Sequence, residues 1–273
     1  MNPLSGKVAA VTGAASGLGK AMALAFASEG MHVALADVDL QNLNSVKGAI
    51  HGVKSFAMHV DVSKAAEVEA FAERTGAELK GVHLVCNNAG VALSGAVWEN
   101  TELDWEWILG VNLRGVVNGV RAFAPRLLAQ DEGHIVNTAS VAGLISPPGM
   151  GAYCVSKHAV VTLSESLHHD LRERGSKVGV SVLCPAYVPT GIAESERNRP
   201  KELGISLKGE KDARLKKAVA SGKLSAHDVA RQVVAAVKAN RFYILTHPAI
   251  KGAIRARMED VLEERAPRDP LRL

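Results

Sequence analysis

Lys7-Val8-Ala9-Ala10-Val11-Thr12-Gly13-Ala14-Ala15-Ser16-Gly17-Leu18-Gly19 decides how this chain is read. Its first six residues are a short, β-prone apolar run. Gly13, Gly17 and Gly19 then break the run, and the alanine-rich stretch from Lys20 to Ser28 favours a helix. Strand, glycine turn and helix in that order are the context of a dinucleotide site. Glycine lets the backbone turn tightly and approach a pyrophosphate, whose charge a helix N-terminus stabilises. The spacing is G-x-x-x-G-x-G rather than G-x-G-x-x-G.

A second strand, His32 to Ala36, ends in Asp37, 18 residues after Gly19. That is close to the offset of a carboxylate that hydrogen-bonds the adenine ribose. A carboxylate there repels a 2′-phosphate. Positions 16 and 38 hold Ser and Val, so no nearby cation neutralises one. These residues predict NAD rather than NADP. Strand-like runs recur at Ser55–Val60, Val82–Asn87, His134–Ala139, Val178–Leu183 and Phe242–Leu245. Helical patterns lie between them, over 102–129 with Pro125 expected to bend or end it, and over 152–173. In the latter, Val155, Ala159, Leu163, Leu167 and Leu171 repeat every four residues as one apolar stripe. Such alternation implies an α/β fold with a parallel sheet whose ligand crevice lies beyond the strand C-termini.

Tyr153-Cys154-Val155-Ser156-Lys157 carries the chemistry, with Ser140 thirteen residues before it. Four residues along a helix bring Lys157 to the same face as Tyr153. An ammonium there is expected to favour the phenolate and lower the tyrosine pKa. A tyrosine tuned in this way takes a proton from an alcohol or returns one to a carbonyl. Ser140 stands at the end of the fifth strand-like run, where the ligand crevice of such a sheet lies, and its hydroxyl is a candidate to stabilise charge on a substrate oxygen.

Together Thr12-Gly13-x-x-x-Gly17-x-Gly19, Asn87-Asn88-Ala89-Gly90, Asn112, Ser140 and Tyr153-x-x-x-Lys157 resemble a classical short-chain dehydrogenase/reductase (SDR), from about residue 5 to 195. The resemblance implies a single-domain Rossmann-like doubly wound sheet of seven parallel strands flanked by helices. It implies hydride transfer between a nicotinamide and an alcohol or carbonyl. It also implies that Lys157 bonds the nicotinamide ribose and that Asn112 holds a water linking Lys157 to solvent. By the same resemblance Asp61 and Val62 hold the adenine, and Asn88, Ala89 and Gly90 line the adenine ribose. Ser16 and Leu18 meet the pyrophosphate and nicotinamide side. Pro185, Val188 and Thr190 follow the sixth strand, with Thr190 on the carboxamide. Ala186 departs from the family's Pro-Gly pattern, where glycine gives more freedom.

At 273 residues, 47% hydrophobic, 4% aromatic and 22% charged, the chain reads as one soluble domain with a large core. A net charge of +4 without basic clusters beside aromatics argues against nucleic-acid binding. The first six residues have no basic or apolar leader region, and no 18-residue apolar run suits a membrane, so a cytoplasmic enzyme is expected. Cys86, Cys154 and Cys184 read as buried thiols, and no metal site is expected.

Three segments, Val91-Ala92-Leu93, Val141 to Met150 and Tyr187 to Glu194, are candidate substrate walls. They are mainly apolar, and the first two lack Arg and Lys, which points to a neutral, apolar secondary alcohol or ketone. A substrate-loop region spans about 190–224 and a C-terminal extension about 247–273. Lys208 to Lys217 is expected to be a solvated helix, and Ile250, Ile254, Met258, Val261 and Leu262 a partial stripe over the site or a neighbouring subunit. The family's dimers and tetramers suggest a homodimer or homotetramer built on the helices at 102–129 and 152–173. Two other functions use the same fold: a silent NAD(H) sensor, and an epimerase or dehydratase.

Overall fold

Apolar runs too short for helices and bounded by turns become strands, fully buried in the middle of the sheet and partly exposed at its edges. The computed structural model describes residues 1–204 and 210–272. Its strands are β1 (Val8–Thr12), β2 (His32–Asp37), β3 (Ser55–His59), β4 (Leu84–Asn87), β5 (His134–Thr138), β6 (Gly179–Cys184) and β7 (Tyr243–Leu245). They form one seven-stranded sheet in the order β3-β2-β1-β4-β5-β6-β7, with every pairing parallel. The chain winds outward from β1 to β3, then crosses back to β4 on the other side of β1. That reversal opens a crevice at the C-terminal ends of β1 and β4.

Helices α1 (Gly17–Ser28), α2 (Leu40–Gly48), α3 (Ala65–Leu79), α4 (Glu102–Leu109), α5 (Gly115–Gln130), α6 (Gly151–Glu173), α7 (Glu210–Ala220), α8 (Ala226–Lys238) and α9 (Ile250–Leu262) join and flank the strands. On one face Met22 and Phe26 of α1, Leu43 of α2 and Val233 of α8 pack over the sheet. On the other, Phe71 of α3 and Phe123 and Leu127 of α5 do so. Phe71 sits edge-on between Phe56 and Phe123, at 6.0 and 5.9 Å between ring centroids. No helix among the described residues is long and apolar enough to cross a membrane.

The structure refines the sequence reading of two helices. Pro125 does not end its helix: α5 runs through it to Gln130. Burial of Ala122, Phe123, Ala124 and Leu127 around it offsets the lost backbone hydrogen bond. The four-residue stripe of α6 is not its core face either. Val155 is 50% exposed, and of the stripe Leu171 alone is buried. The buried face instead carries Ala152, Ser156, Lys157, Val160, Val161 and Ser164. Small and polar side chains there leave room for the site and hydrogen-bond within it, which an apolar-periodicity argument overlooks.

Close packing of α1 on β1 depends on Gly19. A Cβ on Gly19 would stand 2.0 Å from the Gly13 carbonyl oxygen and 2.6 Å from Asn88 Nδ2. Both belong to framework that cannot yield cheaply. Gly19→Ala is therefore expected to lower stability by about 3 kcal/mol or more, measured by denaturant unfolding.

His134 opens β5 at 1% exposure, with Nε2 2.7 Å from Ser181 Oγ. Because Ser181 Oγ donates to the Arg241 carbonyl, Nε2 is the donor in the His134 bond. Burial pushes the His134 imidazole down to about 3. The unfolded chain takes up this proton near pH 6.5, and the folded chain only near 3. Stability should therefore fall with decreasing pH across that window, by up to about 1.4 kcal/mol per unit from this group. Urea unfolding at stepped pH tests this, and His134→Gln should flatten the slope.

Candidate active site

Thr12, at the end of β1, ties the crevice together. Its hydroxyl donates to the Cys86 carbonyl (3.3 Å) and accepts from the backbone of Asn88 (2.9 Å) and Ala89 (3.1 Å). Asn88 Nδ2 returns a bond to the Thr12 carbonyl at 3.0 Å. The Asn88–Ala89–Gly90 backbone is thereby held against the glycine turn. A Cβ on Gly13 would lie 2.8 Å from Ala89 Cα, and Gly13 has φ +65°, so glycine is required on two counts.

Ser16 precedes α1 but makes no side-chain cap, and the first turn of the helix holds no acid. The uncapped N-terminus opens on the crevice, which suits a phosphate. Asp37 stands beside it: Oδ2 accepts from Ala15 N (2.9 Å) and Oδ1 from Asp39 N (3.0 Å). Each oxygen keeps a further lone pair for a ribose hydroxyl. Asp61 is steered by the Ser63 backbone (3.0 Å) and hydroxyl (2.7 Å). These donors and acceptors fit a dinucleotide.

β5 delivers Ser140 just past its end. Its Oγ accepts from Ala142 N (3.1 Å) and donates to the Pro185 carbonyl (3.3 Å). Tyr153 lies in the first turn of α6, close enough to Ser140 for that hydroxyl to favour the phenolate. Lys157, 3% exposed, donates from Nζ to the Thr138 carbonyl at 3.0 Å. Its Nζ stands 5.7 Å from the Tyr153 ring centroid.

This geometry corrects the expected tuning. Lys157 shares the helix face with Tyr153 but spends its hydrogen bond on β5, and burial pushes Tyr153 up to about 12. Burial likewise lowers Lys157 to about 8. In the protein alone, desolvation outweighs the pairing that i,i+4 spacing suggests.

Asn112 sits in a π-helical turn, Gly110–Arg114, between α4 and α5. It is 0% exposed. Its Oδ1 accepts from Val91 N (2.8 Å), and Nδ2 donates to the Val91 carbonyl (2.9 Å) and to Ser156 Oγ (3.0 Å). Ser156 Oγ in turn donates to the Tyr153 carbonyl at 2.7 Å. Asn112 thus links the loop after β4 to the helix that carries Tyr153. A Cβ on Gly90 would lie 3.4 Å from both Asn112 Oδ1 and Lys157 Nζ, so the two side chains flank that glycine.

A cavity of about 540 Å³ joins these groups. The structure brings to it Gly13, Ser16, Gly17, Leu18 and Asp37 from the first half of the sheet, with Asp61 and Val62 beside them. Asn88, Ala89 and Gly90 line it too, as do Ser140, Tyr153 and Lys157, and Pro185, Val188 and Thr190. Gly19 and Asn112 are not among its lining residues: one seats α1, and the other is buried behind Gly90, bonded to Val91 and Ser156.

A sequence profile described as short chain dehydrogenase matches residues 7–201, which include every one of these groups. The chain belongs to the short-chain dehydrogenase/reductase family. It is therefore a member of a family of oxidoreductases acting on small molecules. It is similar to a short-chain dehydrogenase/reductase of Burkholderia phymatum, solved in complex with NAD, at 50% identity and TM-score 0.94, covering 99% of each chain. It is 33% identical to a "CLA biosynthesis dehydrogenase/reductase" of Lactiplantibacillus plantarum, over 98% of this chain and 97% of that protein. It is 37% identical to the meso-2,3-butanediol dehydrogenase of Serratia marcescens, over 68% of this chain and 73% of that protein.

In this SDR chain the cavity is also lined by Val91, Ile145, Pro147, Met150 and Tyr187, from the three expected segments. Arg197 and Leu203, within the substrate-loop region expected over about 190–224, also line it, and so do Trp107 and Arg114, which sequence reasoning missed. Arg114 comes from the π-helical turn, whose Gly110 lies against Ser63 on the adenine side. Arg197 and Leu203 belong to two 3₁₀ segments, Gly191–Asn198 and Lys201–Leu203, both of which contribute to the cavity lining. Arg199 between them is the fastening. Its side chain is 3% exposed, bonds Asp104 of α4 at 2.5 Å and stacks over Trp107 at 5.1 Å. A tryptophan three residues from an aspartate on one helix was the available signal, but its partner lies 95 residues away.

The later segments fare unevenly. α7 covers most of the Lys208–Lys217 stretch as a helix, and residues 208–209 lie outside the described residues. Its Leu215 and Val219 line the cavity, so it is not wholly a solvated surface element. In α9, Ile250 reaches the cavity, whereas Met258, Val261 and Leu262 are exposed. Ala186, the departure from Pro-Gly, donates its N–H to His247 Nδ1 at 3.3 Å, which ties the loop after β6 to the start of the extension.

Proposed function

We propose that this protein transfers hydride between NAD(H) and a neutral, apolar secondary alcohol or ketone. The observation that carries the reading is the convergence of Ser140, Tyr153 and Lys157 on an apolar end of one cavity whose other end suits a dinucleotide. NAD(H) supplies or accepts the hydride when bound. Tyr153 takes the substrate hydroxyl proton in oxidation and returns it in reduction. Ser140 donates to the substrate oxygen and stabilises its developing charge. Lys157 is held over Gly90, where it would bond the nicotinamide ribose. Asn112 holds Val91 and, through Ser156, the first turn of α6 in register. Asp37 favours NAD over NADP because its carboxylate repels a 2′-phosphate. The NAD complex of the Burkholderia relative supports this preference, and the secondary alcohol in the name of the Serratia relative supports the substrate class.

A single domain with a substrate loop and an extension is the matching organisation. The half-exposed stripe around Val155 of α6 suits a homodimer or homotetramer, which light scattering would test. The decisive experiment is a cofactor-coupled oxidation screen of aryl, alicyclic and acyclic secondary alcohols with NAD and NADP in parallel. Turnover of neutral alcohols with NAD is expected. Selective turnover of hydroxy acids or sugar phosphates would overturn the substrate class. Product formation without net change in cofactor absorbance would indicate an epimerase or dehydratase.

A further inference from the structure

Gly13, Ser16, Gly17, Leu18 and Asp37 share their cavity with residues of the 3₁₀ segment Gly191–Asn198, Arg197 among them. We propose that Arg197 on that segment binds the cofactor diphosphate and thereby couples closure of the segment to cofactor occupancy. The proposal rests on the reading of the cavity as a nicotinamide dinucleotide site.

Three observations locate the guanidinium. First, Arg197 lines the same cavity as Ser16, Gly17 and Leu18. Second, its Nη2 and Nη1 lie 3.0 and 3.3 Å from where a Cβ on Gly191 would stand. The preceding residue, Thr190, has its own Cβ 3.2 Å from the Cβ position of Gly17, the first residue of α1. The arginine is therefore one residue removed from the contact between the segment and the uncapped helix N-terminus. Third, its charge is felt by Asp39, just beyond the ribose-facing Asp37. Its neighbours Gly191 and Thr190 set it near the glycine turn, and the pull on Asp39 places it on the side of the end of β2, the span a diphosphate occupies when its ribose reaches Asp37.

The electrostatics agree. Nη1 donates to the carbonyls of Gly191 (2.7 Å) and Glu194 (2.8 Å), which orient the group without neutralising it. Among the described residues Arg197 forms no ion pair with a carboxylate, unlike Arg199 two positions on. The α1 N-terminus offers partial positive charge from one side, and Arg197 adds a full charge from the other. A planar fork of donors matches two phosphate oxygens better than an ammonium does. The exposed side chain lets a variant fold unchanged.

The test is equilibrium binding to the full chain, by calorimetry and NADH fluorescence, for the wild type, Arg197→Ala and Arg197→Lys. Probes are NADH, ADP-ribose, ADP, adenosine and NADPH. Arg197→Ala is expected to weaken NADH, ADP-ribose and ADP by about tenfold or more, with adenosine unaffected. Arg197→Lys should recover part of the loss, and the wild-type affinity should fall more steeply with salt than that of the alanine variant. On adding ADP-ribose, amide exchange across 191–204 should slow in the wild type and not in Arg197→Ala. Unchanged NADH affinity in Arg197→Ala, or equal weakening of adenosine, would overturn the proposal. Loss confined to NADPH would overturn it too, by assigning Arg197 to a 2′-phosphate. If the wild type itself binds none of the dinucleotides, the cofactor reading fails, a result distinguishable from failure of Arg197 alone.

Discussion

Tyr153→Phe is expected to lower kcat for alcohol oxidation by about 10²- to 10⁴-fold, the usual worth of a positioned acid–base group. The substitution removes one oxygen and keeps the ring, so NADH affinity and unfolding midpoint should stay near those of the wild type. The expected pH dependence follows from the direction of the Tyr153 shift. Burial raises its pKa to about 12, so the deprotonated base is scarce at neutral pH. Oxidation should therefore accelerate as pH rises towards that pKa, and reduction, which needs the protonated phenol, should not. The bound cofactor and Lys157 can draw the pKa down, which moves the midpoint to lower pH without reversing the sign. Phenylalanine should abolish the alkaline rise along with the rate. A Tyr153→Phe enzyme with wild-type turnover would remove the tyrosine from the mechanism.

Arg199→Met is expected to be the most damaging substitution outside the glycine turn. Asp104 and Arg199 are nearly buried, and each is held by further bonds. Arg199 Nε and Nη2 donate to the Leu203 carbonyl at 3.1 and 2.8 Å, while Asp104 and Thr101 form a reciprocal cap at the start of α4. Removing the arginine leaves a buried carboxylate without its cation, which costs about 3–5 kcal/mol. For a chain of this size that corresponds to a fall in Tm of about 10 °C. Function should suffer with stability, because Trp107 and Leu203 form part of the cavity wall. A rise in KM larger than the fall in kcat is expected. The double variant Asp104→Leu/Arg199→Met should recover most of the stability, since a filled apolar pair avoids the desolvation cost. Burial opposes ionisation of Asp104, but the Arg199 bond and the Thr101 cap outweigh it and hold the carboxyl below its usual range. The pair's stabilisation is thus full above the ordinary aspartate pKa and lost as pH falls through the lowered value. Acid unfolding of the double variant should lack that component. An unchanged Tm in Arg199→Met would mean that the pair contributes nothing net.

The framework of the site was legible because its signals are local. Gly13, Gly17, Gly19 and Asp37 lie within one strand-turn-helix-strand unit, where spacing along the chain sets spacing in space. Tyr153 and Lys157 share a helix face for the same reason. The limits appear where a side chain has a choice of partners. Lys157 turns to the Thr138 carbonyl at the end of β5, so the simple pairing with Tyr153 was overstated. The buried face of α6 is small and polar, so a search for apolar repeats found the half-exposed face instead.

Local chemistry alone therefore determined the order of strands and helices along the chain, the glycine turn, the acid at the end of β2 and the helix that carries Tyr153 and Lys157. These depend on backbone freedom and helical or strand periodicity, which a few neighbouring residues set. The fold decided what closes the site. Arg199 finds Asp104 across 95 residues, Arg197 comes to line the same cavity as the glycine turn, and a π-helical turn carries Asn112 to Val91 and Ser156. Each pairing needs two segments brought together by sheet packing, and a buried charge or amide takes whichever partner that packing leaves within reach.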